Sequence, residues 1–176
     1  MRYSHRFEVD APVDRVADFY DRPANLKAIT PPIPFRFLGD PPETLGPGDE
    51  VAFRTWVGLV PVRWRSRIEA LPEAGGDVGS GTGSEAAGRG IGGSEIASAP
   101  RVAGFIDRML EGPFASWEHR HRFVELAAGR TAVEDEVEAR LRPHPLWGPV
   151  GGQMWLSLPL LFTYRKYKTR RLLGAG

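Results

Sequence analysis

The chain has 176 residues, 41% of them hydrophobic, with nine Phe, five Trp and four Tyr, so it has the material for a sizeable core and is not disordered throughout. It has no Cys, which excludes a disulfide framework, a thiolate nucleophile, a Cys-ligated zinc site and an iron–sulfur cluster. A formal net charge of +1 gives no chain-wide attraction to nucleic acid, and no nucleic-acid partner is expected.

The first nine residues alternate, with Tyr3, His5, Phe7 and Val9 on one face of a strand. This alternation contains no apolar signal-peptide core, and the longest apolar stretch, 154–162, falls well short of a membrane span of about 20 residues. A cytoplasmic protein is expected. Asp10 is placed to cap a helix with Pro12 in its first turn, and Val13, Val16, Ala17 and Tyr20 recur at helical spacing. A second short helix is expected over 24–29, ending before Pro31 and Pro32.

Strands follow at 35–38, 50–57 and 62–71, separated by turn-rich segments 39–49 and 58–61. Residues 73–99 hold nine of the 21 Gly and no aromatic residue, which reads as a flexible insertion between two strands of a single domain, 1–176. Strand alternation resumes at 101–109, 117–126 and 130–141. The segment 150–172 is helical by length and composition, with Pro159 expected to kink it. This order specifies an α+β plan with helices on one side of an antiparallel sheet.

Strand parity sorts the polar residues. Trp117, His119, His121 and Phe123 share one face, opposite Glu118, Arg120 and Arg122. On the next strand Val133, Val137, Ala139 and Leu141 carry Asp135 inward. Ala103, Phe105 and Met109 carry Asp107, and Tyr3, Phe7 and Val9 carry His5. Five inward ionisable groups, His5, Asp107, His119, His121 and Asp135, are costly in a dry core, at about 1–3 kcal/mol for each unpaired group. They form a structural His–Asp network, orient a ligand in an otherwise apolar pocket, or serve as an acid–base or metal site. In the acid–base reading, His119 or His121 oriented by Asp107 or Asp135 is the base. His119 and His121 are two apart on one strand, a spacing that permits metal binding without specifying it, so no metal and no cofactor is expected. No Gly-x-Ser-x-Gly, P-loop or dinucleotide motif accompanies them.

Apolar wall candidates are Val51, Phe53, Thr55 and Val57 on one strand and Trp64, Ser66 and Ile68 on the next. The last helix adds Met154, Leu158, Leu161, Phe162 and Tyr164. That helix ends in the basic run Arg165, Lys166, Lys168, Arg170 and Arg171, which suits the helix dipole first and peripheral membrane contact as the lesser alternative.

The run from Phe7 to Tyr20 (FEVDAPVDRVADFY), the NLKAITPP segment from Asn25, and the DRMLEGPFASWEHRHRF segment from Asp107 to Phe123 resemble the SRPBCC or START-like superfamily, in particular its polyketide cyclase/dehydrase-like branch. The resemblance covers nearly the whole chain outside 73–99. It implies a helix-grip fold, in which a curved antiparallel sheet wraps a long C-terminal helix and encloses a cavity for apolar ligands such as lipids, polyketides or quinones. His5, Phe53, Trp64, Phe105, Asp107, Trp117, His119, His121, Phe123, Asp135, Met154 and Phe162 are the ligand-binding candidates. Three functions follow: a carrier or sensor of a small apolar ligand; a cyclase or dehydratase using His119, His121 and Asp135; and a protein docking to a membrane or partner through its basic C-terminal helix.

Overall fold

The computed structural model describes residues 1–72 and 100–174. The insertion read at 73–99 lies outside the described residues. One seven-stranded antiparallel sheet contains β1 (Arg2–Val9), β2 (Phe35–Phe37), β3 (Glu50–Val57), β4 (Val60–Ala70), β5 (Val102–Glu111), β6 (Phe114–Ala127) and β7 (Arg130–Leu141). Its spatial order is β1-β7-β6-β5-β4-β3-β2, so the chain's first and last strands are neighbours and everything between is a meander. Two short helices, α1 (Val13–Tyr20) and α2 (Pro23–Ala28), follow β1, and the long α3 (Trp147–Leu173) closes the chain. This is the helix-grip fold. Among the described residues no helix is long and apolar enough to cross a membrane.

Alternation sets the inner face. On β6, Trp117, His119, His121 and Phe123 are all buried, and on β7 Val133, Asp135, Val137 and Ala139 are. Leu141, expected inward, is exposed at the end of β7, where only the first turns of α3 reach it. The outer face carries Arg–Glu pairs across neighbouring strands, such as Arg122 to Glu134 (3.2 Å) and Arg108 to Glu118 (2.7 Å). Singly these contribute little at an exposed surface, but they keep a broad sheet face charged and wet.

Two apolar clusters join the helices to the sheet. Val13 and Val16 of α1 and Leu173 of α3 meet Phe7, Val9, Phe123 and Val133. Earlier along α3, Leu158 and Phe162 meet Trp64, Phe114, Trp117, Val137 and Ala139. Tyr20 Oη and Thr169 Oγ1 are 3.2 Å apart and tie α1 to the last turns of α3.

Several expected boundaries move. Pro12, not Asp10, is the N-cap of α1, with no side-chain cap, because Val16 N–H already bonds to the Pro12 carbonyl at 3.1 Å. The β3–β4 turn shrinks to Gly58 and Leu59, since Val60 and Pro61 pair with Val57 and Trp56. β6 begins at Phe114, three residues before the expected start, and α3 begins at Trp147 and runs through Pro159.

Candidate functional site

Between the inner face of the sheet and the helices lies a cavity of about 410 Å³. That is within the size range of small-molecule sites. β3 contributes Val51, Phe53, Thr55 and Val57, β4 contributes Trp64, Ser66 and Ile68, β5 Phe105 and Asp107, and β6 Trp117, His119 and His121. The opposite wall is one stripe of α3, Met154, Leu158, Leu161, Phe162 and Arg165, and α1 and α2 supply Tyr20 and Leu26, with Ile29 just beyond α2.

Register gives the cavity two unlike ends. Phe53 is opposite Trp64, whose ring stacks on Phe53 (centroids 6.1 Å) and meets Trp117 edge-on (5.2 Å). Further along the strands, one rung aligns His5, Asp135, His121 and Phe105, and the adjacent rung aligns Tyr3, Val137, His119, Asp107 and Ile68. The chain therefore places an aromatic end beside a polar end.

At the polar end, His119 Nε2 donates to Asp135 Oδ1 at 3.0 Å. His121 Nδ1 approaches the same oxygen to 2.9 Å and has no other partner among the described residues. Burial alone would raise Asp135, yet the His119 hydrogen bond and the approach of His121 outweigh it and hold the carboxyl well below the usual carboxylate range. Burial, with the neighbouring His121, pushes His119 down to about 3. An ionised Asp135 behind a neutral His119 is the state this geometry favours. Asp107 differs. Burial raises its carboxyl, opposed by the Ser66 hydroxyl, His121 and Arg165, and its Oδ1 has no partner among the described residues.

Nine of the sequence candidates line the cavity: Phe53, Trp64, Phe105, Asp107, Trp117, His119, His121, Met154 and Phe162. Three do not. Asp135 sits behind the two imidazoles, and His5 lies on β1 beneath Phe162, with ring centroids 5.8 Å apart. Phe123 is fully buried against Tyr20 (4.9 Å), because α1 covers that end of the sheet. Tyr164 of α3 is also outside the wall, with Lys168 over its ring.

Arg165 was not among the candidates. It follows Phe162 by three residues and Leu158 by seven, so the apolar stripe of α3 continues onto it, but its basic neighbours make it read as surface charge. Its guanidinium carbon is 5.6 Å from the Phe162 ring centroid and its Nε is buried without a partner among the described residues. The basic run is thus divided in use, since Arg170 Nε donates to the Glu8 carbonyl at 2.8 Å.

His119, His121 and Asp135 are also the set, among the described residues, that could hold a divalent metal, with one ligand atom from each within 4.8 Å of the others. Both imidazole nitrogens converge on one carboxylate oxygen, so a metal would replace the His119 hydrogen bond. The carboxylate–imidazole pair needs no metal to explain it.

The sequence matches no family model and no curated protein. Solved structures do match in fold. A Thermus thermophilus protein is 14% identical with TM-score 0.62, covering 100% of both chains. The Zhui aromatase/cyclase of Streptomyces sp. R1128 is 16% identical with TM-score 0.61, covering 99% of this chain and 93% of its own. A START superfamily protein of Mycobacterium smegmatis is 12% identical with TM-score 0.54, covering 97% and 98%. At these identities the likeness is one of fold, and that fold is the helix grip read from the sequence.

Proposed function

We propose that the protein binds a small, largely aromatic ligand between its sheet and α3, as a carrier or sensor. The observation that carries this reading is the cavity itself, about 410 Å³ with Phe53, Trp64, Phe105, Trp117 and Phe162 in its walls and a few polar groups gathered toward one end. A core of this composition normally closes on itself, because unfilled apolar volume costs stability. The START superfamily protein and the aromatase/cyclase that share the fold support a ligand-centred role. Native mass spectrometry of protein purified from its own host tests it. The expected result is a co-purifying apolar molecule; a protein that is empty and also binds no member of a lipid, quinone and aromatic panel overturns the reading.

A second reading is proton transfer on a polyketide-like substrate. It is supported by two ionisable residues of the cavity wall, His121 and Asp107, the second with an Oδ1 that has no partner among the described residues. Burial raises the Asp107 carboxyl from its ordinary value, the direction that suits an acid, while His119, at about 3, is too weak a base to share that work. Asp135 then orients the imidazoles. With a turned-over substrate in hand, His121→Ala is expected to lower kcat by at least about a hundredfold, the usual contribution of a positioned acid or base. Unchanged turnover would exclude the reading.

A further inference from the structure

Six buried side-chain polar atoms lack a partner among the described residues, on His5, Thr55, Trp64, Asp107, His121 and Arg165. All but His5 belong to residues that line the cavity. Unpartnered polar atoms are rare in a native interior, and their concentration around one space points to a ligand with complementary atoms. Trp64 Nε1 and Arg165 Nε can only donate, so the complement is rich in acceptor oxygens.

Arg165 is the single Arg or Lys in the cavity wall, and Asp107 the single carboxylate, among the described residues. Both lie toward the polar end. Arg165 makes no salt bridge within 4.0 Å among the described residues, although the Asp107 carboxyl of the same wall feels its charge. Asp135, the ionised carboxylate of this region, is already engaged by His119. Phe162, whose ring is 5.5 Å from His119 and beneath the guanidinium, holds Arg165 along the wall rather than out in solvent.

We propose that this end of the cavity is a carboxylate subsite, in which Arg165 pairs with the carboxylate of an aromatic ligand whose rings lie toward Phe53, Trp64 and Trp117. The guanidinium fork matches a carboxylate, and the pair is strengthened by the low-dielectric wall. Asp107, whose carboxyl burial raises from its ordinary value, faces the same space with its Oδ1 unpartnered among the described residues. This rests on the ligand-binding reading above and adds the ligand's charged group to it.

The test compares 2-naphthoate with its neutral isostere 2-naphthamide by calorimetry at pH 7, on the whole chain and on Arg165→Gln and Arg165→Lys. Naphthoate is expected to bind the native protein more tightly than the amide. Arg165→Gln is expected to weaken naphthoate by about tenfold or more, the scale of a lost charge-assisted hydrogen bond, while leaving naphthamide within about twofold. Arg165→Lys should recover part of the loss. Retained naphthamide binding doubles as the check that the variants are folded. Equal affinity for the two probes, or an equal loss of both in Arg165→Gln, overturns the carboxylate subsite and leaves the cavity reading standing. Absence of binding by either probe to the native protein overturns the carboxylate subsite for aromatic ligands and leaves the cavity reading to the native mass spectrometry and ligand panel above.

Discussion

His119 and Asp135 are diagonal neighbours on β6 and β7, joined by a 3.0 Å hydrogen bond from Nε2 to Oδ1 in a region where both side chains are almost fully buried. The bond lets an ionised carboxylate sit beneath the cavity floor. Without it Asp135 would carry a desolvation cost with only His121 nearby. Asp135→Asn keeps the volume but offers a single oxygen and puts an NH₂ in the place of the other. We expect a loss of about 1–3 kcal/mol in unfolding free energy by urea denaturation, the range for a buried polar group left unmatched. An unchanged midpoint would mean that the imidazoles need no carboxylate.

The same pair shapes the acid limb of stability. In the unfolded chain His119 titrates near its ordinary value of about 6.5, whereas folded it is pushed down to about 3. Between those values the unfolded chain holds a proton on this imidazole that the folded chain does not. Stability is therefore complete above about pH 6.5 and declines as pH falls through the window, by up to about 1.4 kcal/mol per pH unit from this one group. His5, lowered chiefly by burial, acts in the same direction. Asp135, held below the usual carboxylate range, adds stability that is present above its unfolded value and lost further down, as pH falls toward its folded value. Urea midpoints at pH 7, 5.5 and 4.5 should fall steadily for the native chain and less steeply for His119→Gln. Parallel slopes would remove His119 as their source.

Alternation made much of this site legible. The polar residue in the middle of an apolar strand face is visible in Asp135 between Val133 and Val137, and in the His119 and His121 pair between Trp117 and Phe123. Register is what parity alone does not supply. That Asp135 is opposite His121 and diagonal to His119, and so lies behind them rather than in the cavity, depends on how β6 and β7 align. Phe123 was assigned to the cavity because parity gives a face but not which helix covers each end of it. Arg165 was hidden because charge and helical phase pointed to different surroundings, and phase prevailed.

Gly104 shows the sheet approaching itself closely where the wall is made. Its φ is +145°, and a Cβ there would lie 2.0 Å from the His121 carbonyl oxygen and 2.8 Å from Leu71 Cδ1. The backbone oxygen cannot step aside without disturbing the β5–β6 pairing that places Phe105 opposite His121. Gly104→Ala is expected to cost at least about 2 kcal/mol, combining an unfavourable backbone conformation with a backbone clash. Thermal denaturation followed by far-ultraviolet circular dichroism measures it. A variant within about 0.5 kcal/mol of the native protein, the range of a neutral surface change, would show that β5 can shift to make room.

Phe162 connects stability and cavity shape in one side chain. It is 1% exposed, its ring meets Tyr3 (5.3 Å), His5 (5.8 Å) and His119 (5.5 Å), and it also forms part of the cavity wall. Truncation to Ala removes those contacts and merges new volume with the cavity, for an expected loss of about 3–5 kcal/mol. Phe162→Leu keeps most of the apolar volume and should cost less than half as much, so it can be compared in binding as well as in stability. If the cavity holds the ligand, Phe162→Leu should accept a bulkier ring system than the native chain, shown by a shift in rank order across a naphthalene-to-anthracene series in fluorescence titration. Preserved rank order together with the lowered stability would place Phe162 in the core alone and remove it from the binding wall.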